Sequence, residues 1–168
     1  MARSNRYQQA LEEVVKQAAK LGEEACRYAV EKKGYYRPGT EYIPTYNIVD
    51  AIGSAVYVDG VLREDTKRYA VDSELATTPY HDKGWGGSGN YIYGRQALDR
   101  YWENNKYLNN RRNVVEIVCV AATFYSGILE SEKIQVISAA ADYLSQKARE
   151  QQFEIYKPRL NKVDAGIY

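Results

Sequence analysis

Residues 52–62 read IGSAVYVDGVL, and this stretch combines the pattern of a strand with the signal for a turn. The run Ile52–Val58 is mostly apolar and predicts a β-strand. Asp59-Gly60 follows it, and this dipeptide favours a tight type I′ turn because both residues tolerate a positive φ. The apolar pattern resumes at Val61. We therefore predict a β-hairpin here.

A second strand is predicted over residues 114–122, VVEIVCVAA, which are β-branched and almost entirely apolar. A strand with so few polar residues is typical of one that is covered on at least one face. We predict that residues 114–122 form a central strand of the sheet.

Two long helices and one short helix are predicted around these strands. An apolar stripe with alternating spacings of four and three residues predicts a long amphipathic helix over residues 4–32. Residues 134–153 predict a second long helix, and residues 94–105 predict a short one. The stripe of the first helix consists of Tyr7, Leu11, Val14, Ala18, Leu21, Ala25 and Tyr28. We expect an α+β fold in which an antiparallel or mixed β-sheet packs against the two long helices.

The chain of 168 residues is predicted to form one domain over residues 1–153, followed by an extended C-terminal tail over residues 154–168. The tail has too little apolar content to fold alone, so it is either flexible or laid on a neighbouring chain. No stretch is apolar enough for a membrane span or a signal peptide, and synthesis in the cytosol is expected.

A long aromatic and glycine-rich segment occupies residues 63–94, where no periodicity is present. Such a length without periodicity is typical of a functional or disordered connection, and its aromatic residues argue against plain disorder. We predict a projecting loop that orders on contact. The chain has 17 tyrosines and 2 phenylalanines. Tyrosine is enriched where protein surfaces meet, although a tyrosine-rich core is the alternative.

Few residues are suited to catalysis. His81 is the only histidine, so any Ser-His-Asp or Cys-His arrangement would have to use it, and a solvated loop histidine is the simpler interpretation. The segment GWGGSGN lacks the Lys-Ser/Thr pair of a phosphate-binding loop. Cys26 and Cys119 are interpreted as small buried hydrophobes. No catalytic residue, metal site or cofactor is predicted.

The charge pattern also bears on partners. The 23 basic and 22 acidic side chains almost cancel, so no overall field favours a polyanion. A basic and aromatic cluster that includes Trp102, Arg111 and Arg112 leaves single-stranded nucleic acid as a minor alternative. No sequence-specific nucleic-acid binding and no membrane partner are expected.

Two stretches resemble the neck or tail-completion proteins, which form rings in the head-to-tail connector of tailed bacteriophages. The first stretch is residues 45–53, TYNIVDAIG, which is similar to the family's Thr-Gly-Asn-Leu-x-x-Ser-Ile pattern after the first long helix. Tyr46 replaces the usual glycine and Ala51 replaces the serine. The second is residues 121–130, AATFYSGILE, which resembles a strand that delivers a tyrosine and a glutamate, here Tyr125 and Glu130, to the start of the last helix.

This resemblance implies a structural protein of the virion that is made in the host cytoplasm, forms a homo-oligomeric ring and contacts portal-side and tail-side proteins. DNA would pass through the ring, and no enzymatic activity is implied. The alternatives are a small adaptor or inhibitor that binds a host protein, and an enzyme that uses His81. The residues predicted to lie at interfaces are Tyr80, Trp85, Tyr91, Tyr93, Tyr125 and Glu130.

Overall fold

The structure is a computed structural model, and it describes residues 2–33, 47–66, 78–82, 90–106, 112, 114–131 and 135–150. These residues form five helices and five strands. In chain order the elements are α1 (Ala2–Lys33), α2 (Asn47–Asp50), β1 (Ile52–Val58), β2 (Val61–Thr66), β3 (Tyr80–His81), β4 (Tyr91–Ile92), α3 (Gly94–Asn104), β5 (Val115–Ala121), α4 (Ser126–Ser131) and α5 (Ser138–Glu150). The α+β class predicted from the sequence is confirmed.

The predicted hairpin is present and has the predicted turn. β1 pairs antiparallel with β2, and Asp59 and Gly60 between them have φ values of 54° and 77°. Both values lie in the left-handed region that a type I′ turn requires. The turn is also tied to the start of the last strand, because the Asp59 amide donates to the Val114 carbonyl at 3.0 Å. Asp59 Oδ1 accepts from the Val114 amide at 3.1 Å.

The described three-stranded sheet has the order β2-β1-β5, and both pairings are antiparallel. The prediction that residues 114–122 form the central strand is wrong for the described sheet. β1 is central and buried at every residue, whereas β5 lies at an edge and is half-buried throughout. The apolar pattern predicts that the faces of a strand are covered, but it carries no information on whether both edges of the strand are paired.

One face of the sheet is covered by α1 and α5. The long N-terminal helix is confirmed, but its predicted stripe is not its buried face: of the seven stripe residues only Ala25 is fully buried. The buried face is Ala19, Gly22, Ala25, Cys26 and Ala29. The face with small side chains is buried, rather than the face with large ones, because α1 lies close to the sheet. A Cβ on Gly22 would come within 2.6 Å of Ser54 Oγ.

The opposite face is covered by α3, which was predicted over residues 94–105. Leu98 and Trp102 of this helix are buried in one cluster with Ala55 and Tyr57 of β1. The Tyr57 hydroxyl donates to the Asn105 carbonyl at 2.6 Å, which ties the end of α3 to the central strand. The described core therefore has three layers, with β1 in the middle.

The C-terminal helix is shorter at its start than predicted. α5 begins at Ser138 rather than at residue 134, because residues 136–138 give their amides to a side chain of α4 instead of continuing a helix. Residues 132–134 and 151–153 lie outside the described residues. The tail predicted over residues 154–168 lies outside them too.

Part of the predicted loop over residues 63–94 is regular structure. β2 continues to Thr66, and β3 and β4 form a short antiparallel pair in which Tyr80 faces Ile92 and His81 faces Tyr91. Residues 67–77 and 83–89, which include Trp85, lie outside the described part of the chain. A projecting aromatic loop therefore stays a prediction.

Candidate interaction surfaces

An aromatic patch forms where β3 and β4 meet the segment after β5. We use this name for Tyr80, His81, Tyr91, Phe124 and Tyr125. The Tyr80 ring lies 5.5 Å from the Tyr125 ring in an edge-to-face arrangement and 6.1 Å from the Phe124 ring. Such arrangements match the electrostatics of aromatic rings and stabilise one geometry over others. Two predicted interface residues, Tyr80 and Tyr125, are thus brought together.

The outer part of the patch is exposed. The Tyr91 side chain is 71% exposed and packs edge-on against His81, with ring centroids 5.3 Å apart. Phe124 is 37% exposed beside the half-buried Tyr125. Tyr93, two residues after Tyr91, is the N-cap residue before α3 and is also exposed. Exposed aromatic rings packed beside half-buried ones are typical of a surface that another protein covers.

Asn47 fixes the framework below the patch. Its side-chain amide donates to the Thr78 carbonyl at 2.5 Å, just before β3, and its Oδ1 accepts from the Gly94 amide at 2.9 Å, at the start of α3. Gly94 must be glycine, because a Cβ there would come within 1.7 Å of the Asn47 carbonyl oxygen. One buried side chain therefore holds both sides of the β3–β4 unit.

A second tie lies at the other end of this unit. The buried Asp82 carboxylate pairs with Arg100 of α3 at 3.1 Å, and the Asp82 amide donates to the Asn90 carbonyl at 3.1 Å. The latter bond joins the two residues that flank residues 83–89. Because Asp82 is nearly inaccessible to solvent, its pairing with Arg100 fixes where β3 and β4 lie on α3.

Two polar atoms of the patch are buried without a partner among the described residues. They are the hydroxyl of Tyr80 and Nδ1 of His81. Burial, reinforced by the nearby charges of Asp82 and Tyr125, raises the pKa of Tyr80 above its usual range. The neutral hydroxyl is therefore maintained, and it can serve as a hydrogen-bond donor.

Glu130 has an internal role in the structure. Its Oε1 accepts from the amides of Val136 at 2.8 Å and Ser138 at 2.9 Å, and from the amide of Ile137 between them. A carboxylate at this point satisfies the amides that a helix start leaves unpaired and also complements the helix dipole. The resemblance implied a glutamate at the entry to the last helix. In the structure Glu130 belongs to α4, and its carboxylate contacts the amides that lead into α5.

A second apolar surface was missed by the sequence analysis. It lies on the first half of α1, where Tyr7 is 65% and Val14 is 47% exposed. A groove of about 260 Å³ lies between α1, the end of β1 and the start of β5. It is lined by Tyr7, Ala10, Leu11, Val14, Val58, Asp59, Val114 and Val115. The heptad spacing of the apolar stripe was the available signal, but spacing alone does not distinguish a core face from a free one.

Cys26 of α1 and Cys119 of β5 contact each other where the helix packs on the strand. The pKa of Cys26 is raised, chiefly by its hydrogen bond with Cys119 and then by burial. Cys26 is buried, as predicted, whereas Cys119 is half-buried. Within the described residues no group of three or more His, Cys, Asp or Glu side chains is placed to hold a metal ion.

The chain matches no known protein family, no curated protein sequence and no solved structure. In the described residues, no helix combines the length and the apolar run needed to cross a bilayer.

Proposed function

We propose that this chain is a structural protein of a tailed bacteriophage. Copies of it form a ring in the head-to-tail connector, between portal-side and tail-side proteins, with DNA passing through the ring. The protein is made in the host cytoplasm and acts in the virion by contact with its neighbours. It carries out no reaction and requires no cofactor.

The observation that carries this proposal is the exposed aromatic patch on a fixed framework. Tyr91 and Phe124 present their rings to solvent, while Asn47 and Asp82 hold the β3–β4 unit in place through buried polar contacts. A few aromatic side chains commonly supply much of the binding energy of an interface. Rings that are already held in position lose little freedom on binding, which favours tight assembly.

The order of elements also supports the proposal. A long helix comes first, then the Asn47 segment, a hairpin with an Asp-Gly turn and the strand before Tyr125. Glu130 of α4 follows, and its carboxylate accepts from the amides at the entry to α5. The connector family has the same order. A head-to-tail contact between such subunits closes into a ring when the rotation per subunit is fixed.

The test is the solution mass of the purified full chain by light scattering over a concentration series, with electron microscopy of the same samples. We expect one closed oligomer whose mass stops rising with concentration, and ring-shaped particles. A chain that stays monomeric at all concentrations and instead binds a host protein would overturn the ring and favour an adaptor.

The variant Tyr91→Ala tests the patch itself. Because the Tyr91 ring is mostly exposed, the change should leave the free energy of unfolding within about 0.5 kcal/mol of the parent. Assembly should weaken by about 30-fold, as expected for an interface residue worth ~2 kcal/mol. Gln17→Ala on the exposed side of α1 is the control, and equal assembly of both variants would contradict a role for the patch.

A further inference from the structure

The outer edge of β5 has backbone groups with no described partner. The Asp59 amide donates to the Val114 carbonyl and the Ala122 amide donates to the Ala51 carbonyl, so even-numbered residues of this segment direct their backbone groups at β1. Backbone direction alternates along a strand. The amides and carbonyls of the odd-numbered residues therefore point away from β1, and no described segment pairs with them. These residues are Val115, Ile117, Cys119 and Ala121.

The two edges of the sheet differ in how they are protected. β2 carries Arg63 and Glu64, and its Leu62 amide donates to the Lys106 carbonyl at 3.2 Å. Charged side chains and covered amides discourage the addition of another strand. β5 has Glu116 as its single charged residue and is otherwise apolar. β5 is therefore the edge to which a further strand can be added.

The end of α5 lies at the level where β5 begins. α1 runs in the same direction as β5, because Gly22 lies by Ile117 and Cys26 lies by Cys119. α5 runs opposite to α1: Val136 shares a hydrophobic cluster with Val30, whereas the later Tyr143 donates its hydroxyl to the earlier Glu24 at 3.1 Å. The chain thus leaves α5 at Glu150 near the Val115 end of β5, heading away from the sheet.

The residues that follow α5 read QQFEIYKP over 151–158. Residues 153–156, FEIY, begin at the last residue of the helix predicted from the sequence, and Phe153, Ile155 and Tyr156 have high β-propensity. To pair with its own β5, the chain would have to reverse direction within Gln151 and Gln152, and neither residue is a glycine or proline that favours a turn. A chain that continued in the direction of α5 would move away from its own β5, and its residues 153–156 would be available to the β5 edge of another copy. The tail to residue 168 spans up to about 60 Å when extended.

We propose that residues 153–156 of a second copy pair as a strand along the outer edge of β5. This inference rests on the proposed assembly and names the contact that links its subunits. Backbone hydrogen bonds supply the affinity of such strand addition, and alternate side chains supply its specificity. Each subunit offers an edge at one place and a tail at another, so the contact is head-to-tail, as a ring requires.

The test uses hydrogen exchange read residue by residue in mixed full-length chains. An isotopically labelled Ile155→Pro chain cannot pair through its own tail, because proline removes an amide from the strand. Alone, this chain should exchange its amides at Val115, Ile117, Cys119 and Ala121 rapidly. After excess unlabelled parent chain is added, the same amides should exchange about 100-fold more slowly. The amides of Val118 and Val120 face β1 and serve as the internal reference.

The control is Asn161→Pro, which places a proline in the same tail outside residues 153–156. A labelled Asn161→Pro chain should protect the odd-numbered amides without added parent. The inference fails if Ile155→Pro alone is protected, which would mean that another segment fills the edge. It also fails if added parent chain gives no protection, which would mean pairing within one chain or none. Light scattering on the same samples separates the two proposals: rings without protected odd-numbered amides would leave the assembly standing and remove this contact.

Discussion

At the scale of single residues, Glu130 determines where the last helix begins. One carboxylate oxygen accepts from three consecutive amides, which fixes residues 136–138 in a turn before α5. This contact explains why the helix starts later than its apolar pattern suggests, since the pattern carries no information about which carboxylate will reach the amides.

Replacing Glu130 should therefore destabilise the protein. We expect Glu130→Ala to lower the free energy of unfolding by about 2 kcal/mol, because it leaves three partly buried amides without their acceptor. Glu130→Gln keeps a neutral acceptor and should cost about half as much. Urea unfolding followed by circular dichroism measures both, and an alanine variant as stable as the parent would show that Glu130 does not hold α5.

Tyr80 should make stability sensitive to alkaline pH. Burial raises its pKa in the folded state, so the folded protein keeps the proton while the unfolded chain, whose tyrosine pKa is ordinary, loses it near pH ~10. The contribution of Tyr80 is therefore present below pH ~10 and is lost as pH rises through the raised pKa, by up to about 1.4 kcal/mol per pH unit.

The variant Tyr80→Phe removes this contribution and also removes a buried hydroxyl without a described partner. We expect its stability at pH 7 to equal or exceed that of the parent, and its stability above pH ~10 to fall less steeply. Urea unfolding at a series of pH values measures the two slopes. Parallel profiles would show that the Tyr80 hydroxyl is not protected by the fold.

At the scale of elements, the approach of α1 to the sheet depends on Gly22. A Cβ at this position would lie 2.6 Å from Ser54 Oγ and 3.1 Å from Ile117 Cγ2. Alanine favours a helix by about 1 kcal/mol over glycine, whereas overpacking costs about 1–3 kcal/mol. Because the contact with Ser54 is so short, overpacking should win.

We therefore expect Gly22→Ala to lower the free energy of unfolding by about 1–2 kcal/mol. Gly127→Ala, at an exposed glycine of α4, is the control and should be neutral or slightly stabilising. In a Ser54→Ala background the cost of Gly22→Ala should shrink, since the Oγ contact is gone. Equal effects of the two glycine substitutions would contradict a close approach of α1.

The same elements show what the sequence could predict. The hairpin, α1 and α3 follow from local patterns, because turn chemistry and periodicity act between neighbours in the chain. The position of β5 in the sheet does not follow from a local pattern, because an apolar sequence is compatible with a central strand and with an edge strand. The buried face of α1 was also missed: its small residues are buried because the sheet is close, which no residue of the helix reveals.

The candidate site divides in the same way. Tyr80 and Tyr91 were identified because aromatic residues stand out in a segment without periodicity. The partners that position them, Asn47 and Asp82, act over long sequence distances, so their roles could be read only from the structure. Phe124 joins the patch because β5 ends beside β3, which is likewise a property of the assembled fold.

At the scale of the whole molecule, the described residues present three surfaces suited to contact. The aromatic patch and the edge of β5 are linked by the segment after Ala121, and the groove beside Tyr7 lies at the other end of β5. A subunit with apolar surface at both ends of one strand can touch two neighbours at once. This arrangement suits a closed ring better than a two-fold dimer, in which one patch meets its own copy.

The pairing of β1 with β5 sets the order in which the sheet can be completed during synthesis. The hairpin can form once residue 66 has left the ribosome, but the second edge of β1 finds its partner only after residue 121. Throughout that interval the nascent chain carries its most buried strand with one side unpaired. When β5 pairs with β1, the unpaired edge of the sheet becomes the outer edge of β5. Translation thus moves the unpaired edge of the sheet outward by one strand, from β1 to β5, and the strand pairing that we propose would cover it.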